Sequence, residues 1–350
     1  MTGNASQIFG NACKIYQMKT CIMFYFSYFA NFSLSRNSAQ LIVKLFSVFF
    51  ILMNFFLWQG TATYSQTGFS ALPTGSGETD SLYREMLSSV EGAISISARV
   101  RQQVNLFGQE YNASGTYDEL KTTEFRGKGA VRFRLDMQLQ SPGDAKEVNS
   151  NNSLTIVCDN TYNYIYRFYS VEGENHLERI EIKRLVEAIE KQGRNDIQTE
   201  VGSMFGLGGL AGMLREMRNR YDFNTAPVKT PIQEKNSVMD VWKIRGQLKP
   251  EIVASFAATV TGKKPSIPKH TPTAIDVYIG VDDRFPYRFD YFWTADGTES
   301  TGEPFAYLLF YNLILHDGNI SETIFDYRPP ANILSEDVDV TDQVINRMLH

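Results

Sequence analysis

The chain of 350 residues predicts an α+β fold: one antiparallel sheet of about ten strands accompanied by three or four helices. Three observations carry that expectation. Apolar residues alternate with polar ones over several long stretches, turn dipeptides separate those stretches, and the strand-helix-strand rhythm of a parallel sheet is missing.

The first 65 residues are of another kind. They hold Lys14, Lys19, Arg36 and Lys44 and no acid, which leaves 30 basic and 39 acidic residues for the remainder. Leu45 to Trp58 is an uncharged, mostly apolar stretch behind Arg36 and Lys44 and ahead of small and polar residues from Gln59 to Ser65. That is the layout of an export signal. A membrane span needs about 20 apolar residues, and extending the stretch back to Leu41 takes in Lys44. Residues 41–58 retained as an anchor are the competing expectation. The expected organisation is therefore an N-terminal extension and signal over 1–65, a linker over 66–80, a folded domain over 81–342 and a C-terminal tail over 343–350. Cys13 and Cys21 fall in the signal region, so Cys158 stands alone in the exported part and no internal disulfide is expected there.

Within the domain, Asp80 is placed to cap a helix over Ser81 to Val90, with Leu82, Met86 and Val90 on one side. From Ile94 the period becomes two: Ile94, Ile96, Ala98, Val100, Val104 and Leu106 alternate with polar residues, and a partner strand follows over Gln109 to Tyr117. Val131, Phe133, Leu135, Met137 and Leu139 give the cleanest alternation. Leu154 to Cys158, the turn Asp159-Asn160, the aromatic strand Tyr162 to Tyr169 and Leu177 to Ile182 continue the sheet, ahead of an amphipathic helix over Lys183 to Lys191. The segment Val201 to Arg220 breaks the rhythm. A glycine-rich turn there runs into a helix with Leu210, Met213, Leu214 and Met217 on adjoining turns. Strands resume at Val238 to Leu248, Ile275 to Val281, Tyr287 to Trp293, Phe305 to His316 and Ile320 to Tyr327, with turn signals at Asp282-Asp283, Asp296-Gly297 and Asp317-Gly318.

Function classes narrow by what the residues do not assemble. A net charge of −5 and a pI near 5.5 argue against nucleic acid. Gly206 to Ala211 fits G-x-G-x-x-A but follows no buried strand, so a hinge is the better reading than a dinucleotide loop. His176, His270, His316 and His350 are scattered, no serine sits in G-x-S-x-G, and Cys158 is on a strand flank. Asp337, Asp339 and Asp342 lack the glycine and distal glutamate of a calcium loop and read as a solvated acidic tail. No cofactor or metal is implied. What remains is a surplus of aromatic and aliphatic residues on strands, which either fill an ordinary core or line an apolar concavity beneath a helical cover.

Two motifs give the second reading a family. Phe325-Asp326-Tyr327-Arg328-Pro329-Pro330, followed by Asp337-Val338-Asp339-Val340, resembles the F-x-F-x-P-P ending of the periplasmic lipoprotein-carrier family (LolA/LolB-like). Asp159-Asn160-Thr161-Tyr162-Asn163-Tyr164-Ile165-Tyr166 is similar to its D-G-x-x-x-W-x-Y turn and strand, with Asn for Gly and Tyr164 for Trp. The resemblance covers residues 81 to 342 and implies an incomplete antiparallel barrel with a helical lid over an apolar cavity. The family's arginine that secures the lid has no clear counterpart, since Lys128-Gly129-Ala130 stands near its place and neither Arg132 nor Arg134 is singled out. The chain is also longer than the carrier, chiefly at Ser141 to Asn152, Gln192 to Arg220 and Thr259 to Thr273.

The function so implied is an exported, periplasmic, non-enzymatic and monomeric binding protein for lipid or lipoprotein acyl chains, met by a membrane-protein donor or acceptor. The candidate cavity and lid residues are Phe133, Leu135, Met137, Tyr164, Tyr166, Leu207, Leu210, Met213, Leu214, Trp242, Phe289, Tyr291 and Trp293. The alternatives are a periplasmic protein-interaction or regulatory module on the same scaffold, tethered if 41–58 is retained, and a lipid hydrolase, for which no polar site is visible.

Overall fold

The computed structural model describes residues 77–106, 109–121, 131–140, 152–159, 164–171, 174–191, 205–234, 237–258, 271–293, 302–316, 320–329 and 337–349. The signal or anchor segment, the loop at 141–151 and most of the loop at 259–273 lie outside them.

Helix α1 (Gly77–Gly92) opens the domain, and β1 (Ser95–Leu106), β2 (Gln109–Lys121), β3 (Val131–Gln140), β4 (Ser153–Asp159), β5 (Tyr164–Val171) and β6 (Glu174–Glu181) follow as an antiparallel meander. Then come α2 (Ile182–Lys191), α3 (Phe205–Arg220), β7 (Tyr221–Asp222), β8 (Val228–Glu234), β9 (Ser237–Leu248) and α4 (Pro250–Ala258). The chain ends with β10 (Ala274–Gly280), β11 (Pro286–Phe292), β12 (Ala306–His316), a 3₁₀ turn (Glu322–Phe325), β13 (Asp337–Asp339) and α5 (Thr341–Leu349). Thirteen strands form one sheet in the order β13-β6-β5-β4-β3-β2-β1-β12-β11-β10-β9-β7, with β8 also on β9. Among the described residues the ends β13 and β7 do not pair, so the sheet is open, and every ladder there is antiparallel except β13 on β6.

The strand count exceeds the expected ten for identifiable reasons. β7 and β13 are too short to show a period. β8 contains Pro231, which an edge strand tolerates because one side of its backbone needs no ladder partner. In the other direction, the strand expected over Ile320 to Tyr327 is a 3₁₀ turn that buries Phe325. Helices number five among the described residues rather than three or four. The acid-rich ending is built in and not merely solvated: Asp339 and Asp342 pair with Arg184 of α2 at 3.1 and 2.6 Å.

Register fixes which side chains share a face, because residues opposite one another across a ladder point the same way. Tyr117, Leu135 and Ile156 form one row, and Glu119, Phe133, Cys158, Ile165 and Ile180 the next. Across β12 to β9 the same face carries Phe310 and Leu308, then Phe289 and Tyr291, Ile275 and Val277, and Ile244 and Gly246. Helices α1 and α3 cover this face. Gly246 lies under the Phe223 ring, which would meet an added Cβ at 2.7 Å, and Phe223 packs on Tyr83 of α1 with ring centroids 4.9 Å apart.

Candidate functional site

The helix-side face is a continuous apolar surface with an aromatic centre. Phe310 makes edge contacts with Tyr117, Phe285 and Phe289 at centroid distances of 5.8, 6.2 and 6.3 Å, and Phe133 lies 6.2 Å from Tyr117. Phe133, Met137 and Phe289 are fully buried, while Leu135 and Tyr291 are nearly so. Trp242 lies on this face by register with Ile279, half-buried near the β8 edge, and Trp293 continues the parity of Phe289 and Tyr291 one residue beyond β11.

Above that face runs α3. Leu210, Met213, Leu214 and Met217 are buried, as the spacing of the apolar stripe predicts. Each such side chain contributes about 1.5–3 kcal/mol on leaving water, so apolar contact is the main force holding the helix down. Side chains of α1 fasten it further: Tyr83 Oη donates to the Leu214 carbonyl at 2.6 Å, Arg215 pairs with Glu91 at 2.5 Å, and Arg218 pairs with Asp80.

One polar feature lies beneath it. The Leu210 amide donates to Tyr117 Oη at 3.1 Å and to Glu119 Oε2 at 2.9 Å, and Tyr117 Oη itself donates to Glu119 Oε2. Glu119 is 1% exposed, and its other oxygen, Oε1, has no hydrogen-bond partner among the described residues. Burial raises the carboxyl's pKa, opposed by the bonds from Tyr117 and Leu210 and more weakly by Lys121 and Arg215. The helix accommodates this latch by a kink at Gly209 (φ 58°, ψ −146°), where a Cβ would run into the Glu119 carboxylate and come within 2.8 Å of Val131. A side chain is excluded there on both counts.

The sequence-predicted set divides between the two faces of the sheet. Phe133, Leu135, Met137, Phe289, Tyr291 and Trp242 share the helix-side face, with Leu210, Met213 and Leu214 on the helix above it, and Trp293 lies one residue beyond the end of β11. Leu207 belongs to α3, but its side chain lies outside the described residues. Tyr164 and Tyr166 are on the opposite face: Tyr166 pairs across the ladder with Val157, which in turn opposes Arg134, and its ring packs on Tyr327 at 5.5 Å. Both tyrosines have the strand spacing of a lining pair but the wrong parity. Arg132 and Arg134 also occupy that second face, where they bind Glu322 and the Ile324 carbonyl at 2.8 and 3.0 Å. Neither secures α3. The group that does is Tyr117 with Glu119; the sequence expectation ends this strand at Tyr117, and an acid two residues further on, on an apolar face, is the signal that extends it.

With this geometry the chain can be set beside known proteins. No family model matches it, and no curated protein does. The chain is similar to LolA-superfamily structures. Solved structures like it include a LolA superfamily protein from Nitrosomonas europaea, at 10% identity over 71% of this chain and 98% of that one, with a TM-score of 0.25. A DUF1329 family protein from Desulfovibrio piger gives 12% identity over 73% and 98%, with a TM-score of 0.30. A domain from Vibrio parahaemolyticus described as outer-membrane lipoprotein-sorting gives 10% over 70% and 95%, also at 0.30. Likeness at this level assigns no ligand and no partner.

Proposed function

We propose that the protein is an exported, non-enzymatic binding protein that holds lipid or lipoprotein acyl chains against the helix-side face of its sheet, with α3 as the movable cover. The observation that carries this reading is the way α3 is attached: an apolar stripe on an apolar face, fastened beneath Leu210 by a buried latch next to a glycine kink. An acyl chain can replace that stripe contact for contact, at about 0.8 kcal/mol per buried CH₂, and the kink at Gly209 supplies a point about which the helix can lift. Catalysis by the protein itself has no place in this reading.

The test is native mass spectrometry on protein exported through its own signal and purified without detergent, followed by solvent extraction. Extra mass that extracts as lipid or lipopeptide is the expected result, lost in the Leu210→Ser, Leu214→Ser double variant. A chain that stays empty when offered lipids sinks the proposal. The same spectrum reads whether residues 1–65 have been removed, and so whether the protein diffuses or stays anchored by residues 41–58.

A second reading has one observation in its favour. Phe133, Phe289, Leu210 and Leu214 are all fully buried, so the face is closed by the protein's own side chains. A protein-interaction or regulatory module on this scaffold would need no space there, and an empty chain in the experiment above would leave that reading standing.

A further inference from the structure

The face of β9–β12 and β1 turned away from α1 and α3 has an organisation that lipid holding does not use. Register places Arg245, Asp276, Asp290 and Tyr307 in one row and Lys243, Tyr278, Arg288, Leu309 and Arg101 in the next, with Arg99 opposite Tyr311 beyond. Asp276 and Asp290 are direct cross-strand neighbours, an arrangement that is unfavourable for like charges. Both are 2–3% exposed. Cations stand over them: Lys243 and Arg245 each lie 3.6 Å from Asp276, and Arg288 lies 2.6 Å from Asp290, which also accepts from Tyr278 Oη at 2.8 Å. Aromatic rings brace the guanidinium groups, with Arg288 4.7 Å from the Tyr307 centroid, Arg101 5.3 Å from Tyr311 and Arg245 4.6 Å from Phe292.

The result is a lower tier of two acids and an upper tier of five cations, Arg99, Arg101, Lys243, Arg245 and Arg288. That excess of positive charge stands out in a chain whose net charge is −5. Two large aliphatics flank the rows on the same face: Val228, 55% exposed, opposite Lys243, and Ile314, 49% exposed, opposite Ser97. Fixed cations, tyrosines and exposed aliphatics spread across neighbouring strands suit a broad anionic plane rather than a pocketed protein epitope.

We propose that this face docks the protein on an anionic phospholipid surface, with the cation tier on the headgroup phosphates and Val228 and Ile314 at the acyl boundary. The inference rests on the lipid-holding reading, since a lipid carrier has to meet a membrane to exchange its cargo.

The experiment uses the chain as matured by its host and measures its affinity for vesicles of phosphatidylcholine alone and of phosphatidylcholine mixed with phosphatidylglycerol. Any contribution of residues 1–65 is common to wild type and variants and cancels in the comparison. The wild type is expected to prefer the anionic vesicles, and salt to weaken that preference. The Arg99→Gln, Arg101→Gln double variant should lose about thirtyfold of it, at roughly fivefold per basic residue removed. Should the double variant fail to fold, Arg99→Gln alone carries the test with a loss of about fivefold. Equal affinity for both vesicle types, or a folded variant that binds like the wild type, overturns the proposal. Uptake of a fluorescent fatty acid delivered from cyclodextrin separates the two readings. A wild type that docks but takes up no fatty acid sinks lipid holding and leaves docking intact. One that takes up fatty acid but ignores anionic vesicles overturns docking and turns the face over to an acidic protein partner.

Discussion

Glu119 and Asp276 are both buried carboxylates on strands of the same sheet, and they differ in what surrounds them. Glu119 faces α3 and is held by two neutral donors, the Tyr117 hydroxyl and the Leu210 amide, with no salt bridge among the described residues. Asp276 faces away from α1 and α3 and has two cations 3.6 Å away. Burial raises the pKa of both, but at Asp276 the opposition comes first from Arg245 and Lys243. A buried acid with cations around it organises charge on a surface. One with only neutral donors is a weak point under a helix, stable while the helix stays down and the carboxyl stays neutral.

The change with the largest expected effect attacks the latch through its neighbour. Gly209→Ala forces a Cβ into the Glu119 carboxylate and imposes a left-handed conformation on an alanine, and it should cost about 3 kcal/mol in chemical unfolding. An alanine variant as stable as the wild type would mean that α3 does not need the kink, and the latch would lose its geometric basis.

Below it in size is a pH effect centred on a third acid. Glu216 of α3 has its pKa raised by burial from 4.5 to about 7, with Arg220, Asn219 and Lys249 acting against the shift. A carboxyl whose folded value lies above its unfolded value adds stability that is complete below the unfolded value and is lost as pH rises through the folded one. Glu216 therefore holds α3 most firmly in acid and loosens it as pH climbs from about 4.5 through about 7, and the raised pKa of Glu119 acts in the same direction. The loss from Glu216 should be about 1–2 kcal/mol, reduced from the full linkage value because part of the side chain reaches water. Glu216→Gln should flatten that arm of the stability profile. A profile unchanged by the substitution would place the titration elsewhere.

How far the sequence foretold this arrangement follows from what each signal can hold. Period-two alternation in Val131 to Leu139 and in Ile96 to Val104 names strands and their buried sides, and both are as read. It cannot say whether the buried sides of two strands coincide. Spacing alone puts Tyr164 and Tyr166 in the lining set, and only the pairing of Cys158 with Ile165 shows that the other parity faces α3. Pro231 hid β8, because a proline rules out a central strand and its edge position depends on what lies beside it. The helix α4 was legible in principle: Pro250 and Glu251 are a favourable first turn. The latch was half legible. The apolar stripe singles out Leu210, but a contact between residues 119 and 210 is a tertiary fact that no local period encodes.

Neutral replacements sharpen the comparison directly. Glu119→Gln keeps an oxygen for the Leu210 amide and removes the charge that burial disfavours, so at neutral pH it should raise stability by about 1 kcal/mol. Asp276→Asn removes a similarly disfavoured charge but also takes a nearby anion from Lys243 and Arg245, and the two effects should cancel to within about 0.5 kcal/mol. Thermal melts of the two variants side by side read the difference. If Asp276→Asn gains as much as Glu119→Gln, the cation tier contributes nothing to holding that carboxylate.

The smallest effect tests whether a distant cation reaches the latch. Arg215 pairs with Glu91 at the surface, and it is also one of the two charges that oppose the upward shift of Glu119. Losing an exposed pair of this kind costs about 0.5 kcal/mol or less, so Arg215→Gln should barely change stability in acid, where Glu119 is neutral and does not feel the missing charge. Once the carboxyl ionises it lacks that support, and the variant should fall further below the wild type as pH rises. The informative quantity is the slope of the stability difference against pH. A positive slope, or none, would mean that Arg215 acts on Glu91 alone and would leave Lys121 as the charge that opposes burial at the carboxyl under α3.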